Sequence, residues 1–143
     1  MSGFTLTEWI ARTPTEVFDF VTAPENAPKV VSSVTSMTRL TQGPLRVGTK
    51  YRETRMMNGK EQSTELEVVA FDPHHAYGMK NVTSGIESVY RYHFQAENNG
   101  TRVNLVCEVI AKGFKKLLTP LVASILKKED GDHLQRLKKA LET

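Results

Sequence analysis

Apolar and polar residues change their spacing along this chain, and each change marks an element. Phe4, Leu6 and Ile10 share one parity with Glu8 between them, which predicts an opening strand. Thr13-Pro14-Thr15-Glu16 follows: Thr13 can cap a helix, Pro14 suits its first position, and Glu16 completes a capping box. Val17, Phe18 and Val21 then form an apolar stripe at helical spacing. Pro24 and Pro28 bracket a second short helical or turn segment, because each restricts the residue before it.

From residue 34 the texture is that of strands separated by turns, near 34–41, 47–57, 61–71, 75–82, 86–97 and 101–111. Thr41-Gln42-Gly43-Pro44 reads as a turn, and Asn58-Gly59 and Asn99-Gly100 read as tight hairpin connections. Asp72-Pro73-His74 and Ser84-Gly85 are further breaks. Connections this short imply antiparallel neighbours. Lys112-Gly113 ends the last strand, after which Phe114, Leu117, Leu118, Leu121, Val122, Ile125, Leu126, Leu134, Leu137 and Leu141 recur at the spacing of one long terminal helix. Pro120 predicts a break near Thr119, a candidate cap, and Gly131 marks a bend or a close approach.

Strand alternation sorts the faces. The inward sets are Ile86, Ser88, Tyr90, Tyr92 and Phe94; Val103, Leu105, Cys107, Val109 and Ala111; Thr64, Leu66, Val68 and Ala70; and Tyr77 with Met79. The strand at 49–57 has two registers: Tyr51, Glu53, Arg55 and Met57 inside, or Arg52, Thr54 and Met56 inside. The first register would bury a carboxylate and a guanidinium together, and these would have to pair or meet a ligand. The interior is rich in tyrosine and methionine, as an amphipathic pocket would be, whereas edge-of-core tyrosines with wet hydroxyls are the plainer explanation.

The chain has 143 residues, 39% hydrophobic and 24% charged, which suits a single domain over 1–143 with its own core. Cys107 is the only cysteine, so no internal disulfide forms, and the expected location is the cytoplasm. Met1-Ser2-Gly3-Phe4 does not begin a signal peptide, and no apolar run is long enough for integral membrane association. Residues 112–143 hold eight Lys/Arg against four Asp/Glu, while residues 1–111 hold eleven against twelve, so the net +3 charge belongs to the terminal helix.

Trp9-Ile10-Ala11-Arg12-Thr13-Pro14-Thr15-Glu16-Val17-Phe18-Asp19-Phe20-Val21 resembles the first strand and helix of the START-like, or SRPBCC, superfamily, in its polyketide cyclase/dehydrase and lipid-transport branch. Gly43-Pro44 through Tyr51, Glu67 through Pro73, Arg91-Tyr92-His93-Phe94 before Gly100-Thr101-Arg102-Val103, and Leu137 through Glu142 are similar to the same branch. The resemblance implies an α+β helix-grip fold, in which a curved antiparallel sheet wraps a long C-terminal helix around an internal cavity. Members bind lipids, sterols, polyketides or other apolar ligands, and some are cyclases or aromatases. The branch carries no universal catalytic signature, so the resemblance assigns no catalytic residue.

The four histidines, His74, His75, His93 and His133, show no metal-ligand spacing, and no cofactor or phosphate-loop motif is present. No metal and no cofactor is expected. Cys107 reads as a small buried hydrophobe. Three functions remain open. The first is a binder of an apolar small molecule, lined by Tyr51, Leu66, Tyr77, Met79, Tyr90, Tyr92 and Phe94 from the sheet and Leu118, Val122 and Leu126 from the helix. The second is a cyclase or dehydratase in which Tyr51, Glu53 and Arg55 move protons and stabilise an enolate. The third is a module that meets a protein or membrane surface through Lys115, Lys116, Lys127, Lys128, Lys138 and Lys139. Nucleic acid is not an expected partner, for basic and aromatic residues do not interleave on any strand. Monomer and homodimer both fit.

Overall fold

The computed structural model describes residues 2–143. β1 (Ser2–Ile10) leads into α1 (Pro14–Thr22), a 3-10 turn (Pro24–Asn26) and the short α2 (Ala27–Val30). Six strands follow: β2 (Val34–Arg39), β3 (Lys50–Met57), β4 (Lys60–Asp72), β5 (Ala76–Thr83), β6 (Ile86–Glu97) and β7 (Gly100–Ile110). A 3-10 segment (Gly113–Leu118), α3 (Thr119–Asp130) and α4 (His133–Glu142) close the chain.

The capping box at the start of α1 is formed, with Thr13 Oγ1 accepting from the Glu16 amide and Glu16 Oε1 accepting from the Thr13 amide. All seven strands make one antiparallel sheet in the order β1-β7-β6-β5-β4-β3-β2. Four consecutive hairpins run from β3 to β7, and β1 returns to pair with β7, so Phe4, Leu6 and Ile10 sit opposite Cys107, Leu105 and Thr101. The fold is α+β, an antiparallel sheet closed over by its C-terminal helical region.

The turns carry one correction. Asn58 and Gly59 both take positive φ, as a type I′ hairpin needs, and Ser84-Gly85 does the same. The β6–β7 connection, however, is Asn98-Asn99 rather than Asn99-Gly100, and Glu97 pairs directly with Gly100. Asparagine tolerates the left-handed region well enough to fill both turn positions. Gly100 serves packing instead: a Cβ there would lie 2.4 Å from the Ile10 carbonyl oxygen and 2.7 Å from the Trp9 ring.

Strand alternation places Tyr51, Glu53 and Arg55 on the inner side of β3, deciding between the two registers. Val103, Leu105, Cys107, Val109 and Ala111 are buried as expected. Ala70 is not on the inner face. A bulge between Val68 and Ala70 shifts the pairing by one residue, so Ala70 opposes Gly78 and Phe71 opposes Tyr77 and packs on the core. Val89 is the exception on β6, buried on the outer side between Lys80 and Glu108 in the ladder.

The main core joins Ile10, Val17, Phe18, Tyr51, Val68, Tyr77, Tyr92, Phe94, Val103, Leu105, Leu134 and Leu137. Phe18 of α1 meets Phe94 edge-on at 5.6 Å, and Tyr92 stacks on Phe94 at 5.7 Å. A second cluster, Cys107, Val109 and Ala123, is flanked by Phe4, Ile86, Tyr90, Val122 and Leu126.

The terminal helix is divided. It begins at Thr119, where the break was expected, but Thr119 does not cap it: its hydroxyl donates to the Lys116 carbonyl and meets Ser2 Oγ. A second interruption falls at Gly131-Asp132. A Cβ at Gly131 would lie 2.4 Å from the Lys127 carbonyl oxygen, so only glycine allows this close return. No helix among the described residues is long and apolar enough to cross a membrane.

Candidate functional site

The interruption at Gly131 brings two polar side chains of the helical region onto the inner face of the sheet. Asp130 ends α3 and His133 begins α4. Tyr90 and Tyr92 stand two apart on β6, hence on one face. The Tyr90 hydroxyl donates to Asp130 Oδ2 at 2.5 Å, and the Tyr92 hydroxyl bonds to His133 Nε2. The strand spacing of two is thus matched by a helix-side spacing of three across the bend.

Arg55 extends the first contact. Its Nε donates to Glu53 Oε1 at 2.7 Å and its Nη1 to Asp130 Oδ1 at 3.1 Å. One guanidinium therefore bridges β3 to the end of α3, with Asp130 only 1% exposed. A buried carboxylate is tolerable here because a cation and a phenol both satisfy it. Burial works against the charge on Arg55, but Glu53 and Asp130 outweigh it and hold the guanidinium above its ordinary value. The two carboxyl groups share one guanidinium, and Tyr90 supplies a further hydrogen bond to Asp130.

The second contact is neutral. Burial holds the His133 imidazole down at about 4, with Asp130 pulling the other way, so near pH 7 it is uncharged. Burial also raises the Tyr92 hydroxyl above the usual phenol range, and the Asp130 charge adds to that. The Tyr92 hydroxyl and His133 Nε2 share this bond in either direction, according to the tautomer, and Nδ1 is buried with no hydrogen-bond partner.

A cleft of about 60 Å³ opens beside this pair. One wall is apolar and comes from the end of α1, the 3-10 turn, α2 and β2, through Phe20, Val21, Ala27, Val30 and Met37. The sheet side is Glu53, Tyr77, Met79 and Tyr92, with His133 from α4. Burial raises the Tyr77 hydroxyl too, and it lies 3.5 Å from Met79 Sδ. The volume holds a few waters, a single one needing about 15 Å³, and is well below the ~300 Å³ of a typical ligand pocket.

Of the residues singled out by sequence, Tyr77, Met79, Tyr92 and Glu53 line this cleft. Arg55 stands behind Glu53, and Tyr90 beyond it on Asp130. Tyr51 and Phe94 are buried in the main core, and Leu66 packs against it. Val122 and Leu126 pack on the Cys107 cluster, whereas Leu118 is 43% exposed. Sequence reasoning missed Asp130, His133 and the apolar wall. Asp130 reads as one more charge in Lys127-Lys128-Glu129-Asp130, yet it follows Ala123 and Leu126 at helical spacing, a position that faces the sheet. His133 precedes Leu137 by one turn in the same way.

Residues 1–142 match the family described as polyketide cyclase / dehydrase and lipid transport. A comparison with curated proteins finds no match. Among solved structures, Ara h 8.0201 has a TM-score of 0.78 at 17% identity, over 96% of this chain and 95% of that one. TTHA0849 from Thermus thermophilus has a TM-score of 0.74 at 19% identity, over 96% and 94%. The di-domain ARO/CYC BexL from the BE-7585A biosynthetic pathway has a TM-score of 0.75 at 24% identity, with 98% of this chain covering 50% of that one. At these identities the likeness is one of fold.

Proposed function

The chain belongs to the polyketide cyclase / dehydrase and lipid transport family, and from that premise we propose that it binds a small, mostly apolar molecule with one or two polar groups in the cleft beside His133. The observation that carries this reading is the cleft's composition: an apolar wall that runs down to Tyr92, His133 and Glu53, with a buried imidazole nitrogen left unpartnered. An unsatisfied buried polar nitrogen is unfavourable by about 1–3 kcal/mol, and a hydrogen-bonding group on a ligand would recover it. The apolar part of the ligand would lie against Phe20, Val30 and Met37. A ligand larger than a few waters requires the α1–α2 wall to move outward.

Titration with the neutral fluorescent apolar dye N-phenylnaphthylamine, in a Leu117→Glu background that removes exposed apolar surface outside the cleft, tests this reading. Ala27 lines the cleft, so Ala27→Trp should fill it. The background protein is expected to bind the dye and the Ala27→Trp variant to lose at least tenfold in affinity with its fold intact by circular dichroism. Equal binding by both would refute the site.

A second reading, a cyclase or dehydratase, draws on the Glu53 carboxylate at the cleft beside two phenols kept protonated by burial. Phenols of this kind donate hydrogen bonds to a developing enolate oxygen, and a carboxylate can take the proton from carbon. The fold shared with ARO/CYC di-domain proteins supports it. Consumption of a polyketone probe, lost in Glu53→Gln while dye binding persists, separates enzyme from carrier.

A further inference from the structure

Half of the ten large apolar side chains exposed among the described residues fall within 114–125: Phe114, Leu117, Leu118, Leu121 and Ile125. Phe114 is 77% and Leu117 83% exposed, so these are side chains standing in water, not the edge of the core. On α3 the helical repeat sets Leu121 and Ile125 opposite Ala123 and Asp130, which are buried against the sheet. The helix is therefore apolar on two sides, and only one of them is covered. Val82 and Ile110, both exposed and both paired to Glu87, extend the apolar surface at the same end of the sheet.

The stripe itself carries only positive charge, and the nearest carboxylates stand at its margins: Glu87 between Val82 and Ile110, paired with Lys80 at 3.6 Å, and Glu129 one helical turn after Ile125. Residues 112–128 contain Lys112, Lys115, Lys116, Lys127 and Lys128 and no Asp or Glu. Lys115 donates to the Ser84 carbonyl at 2.5 Å, which ties the 3-10 segment to the β5–β6 turn and holds the stripe in place. Lys138 likewise donates to the Trp9 carbonyl and to Glu142, so Lys115 and Lys138 are engaged within the fold, and Lys112, Lys116, Lys127 and Lys128 are the cations this face offers.

We propose that this face, residues 112–128, docks on an anionic lipid bilayer. An interfacial segment inserts apolar groups at the boundary between headgroup and acyl chain, while lysines on long stems reach anionic headgroups. Phe, Leu and Ile interleaved with lysines across residues 112–128 meet both requirements. A second copy of the chain is a poor occupant, because apposed stripes would bring Lys112, Lys116, Lys127 and Lys128 of each copy together against only Glu87 and Glu129 at the margins, the first already paired with Lys80. The docking face is separate from the cleft lining, so this inference stands independently of the proposed ligand.

Sedimentation with vesicles of phosphatidylcholine containing about 30% phosphatidylserine tests it, beside pure phosphatidylcholine. The intact protein should sediment with the anionic vesicles at low salt and remain largely in solution with the neutral ones. Leu117→Glu should reduce partition at least tenfold, and Lys116→Gln and Lys128→Gln about fivefold each. These side chains are exposed, and circular dichroism checks the fold. Leu117→Trp gives a second readout, a blue-shifted emission with anionic vesicles. Absence of sedimentation at low salt, sedimentation unaffected by Leu117→Glu, or an unshifted Leu117→Trp emission would each overturn the proposal. A concentration-dependent dimer abolished by Leu117→Glu would assign the stripe to a second copy and overturn it as well.

Discussion

Replacing Arg55 by methionine probes the polar centre. The change keeps most of the length of the side chain and removes the cation that bridges Glu53 and Asp130. Arg55 is 18% exposed, Glu53 12% and Asp130 1%, so water can screen the remaining carboxylates only slightly. Breaking a buried pair by removing one partner destabilises by about 3–5 kcal/mol, against about 0–1 kcal/mol for an exposed pair. A loss of about 4 kcal/mol, with a urea slope of about 2 kcal/mol/M, lowers the unfolding midpoint by about 2 M. Arg55→Lys should fall between wild type and methionine, because a single ammonium cannot reproduce a fork that bonds Glu53 through Nε and Asp130 through Nη1. Arg55→Met/Asp130→Asn should lose less than the two single changes together, because the charge left unpaired by one change is removed by the other. Urea unfolding near neutral pH measures all three. A loss below about 1 kcal/mol for Arg55→Met, or strict additivity in the double variant, would refute a buried and coupled cluster.

Other consequences follow from single groups. Burial holds His133 at about 4 in the fold, against 6.5 ordinarily. As pH falls the unfolded chain takes up the proton first, so stability is full above about 6.5 and is lost toward 4. At about pH 5 the loss is roughly 2 kcal/mol, and His133→Gln should lack that share; parallel pH profiles for the two proteins would count against it. Gly100→Ala places a Cβ 2.4 Å from the Ile10 carbonyl oxygen and 2.7 Å from the Trp9 ring. It should lower Tm by about 6 °C, from overpacking of about 2 kcal/mol, and shift the Trp9 emission; an unchanged Tm would contradict the packing role. Burial pushes the Cys107 thiol up to about 11, so iodoacetamide at about pH 8 should label the protein only in urea, and rapid native labelling would argue against the buried placement.

Much of this architecture is legible in the residues because local chemistry and the fold agree. The Thr13–Glu16 capping box, the Asn58-Gly59 turn and the alternation of β7 each carry their own signal. The failures have physical causes. The bulge after Val68 reverses the parity of Ala70 and Phe71, and period-two reasoning has no means of seeing an inserted residue. Asn99-Gly100 is a strong turn signal overridden by the need for a glycine against Trp9 and Ile10. At the cleft, the sheet side follows from alternation, which brings Tyr77, Met79 and Tyr92 inward. The helical side does not, since Asp130 and His133 meet the sheet only through the bend at Gly131, a tertiary feature.

The central claim, a ligand seated beside Tyr92 and His133, is tested most directly by native mass spectrometry of freshly purified wild type and Ala27→Trp, each beside its denatured mass. The expected result is an added mass on wild type that disappears on denaturation and is missing from the variant. Bare polypeptide in both, or an adduct retained equally by Ala27→Trp, would contradict the assignment of the cleft as the binding site.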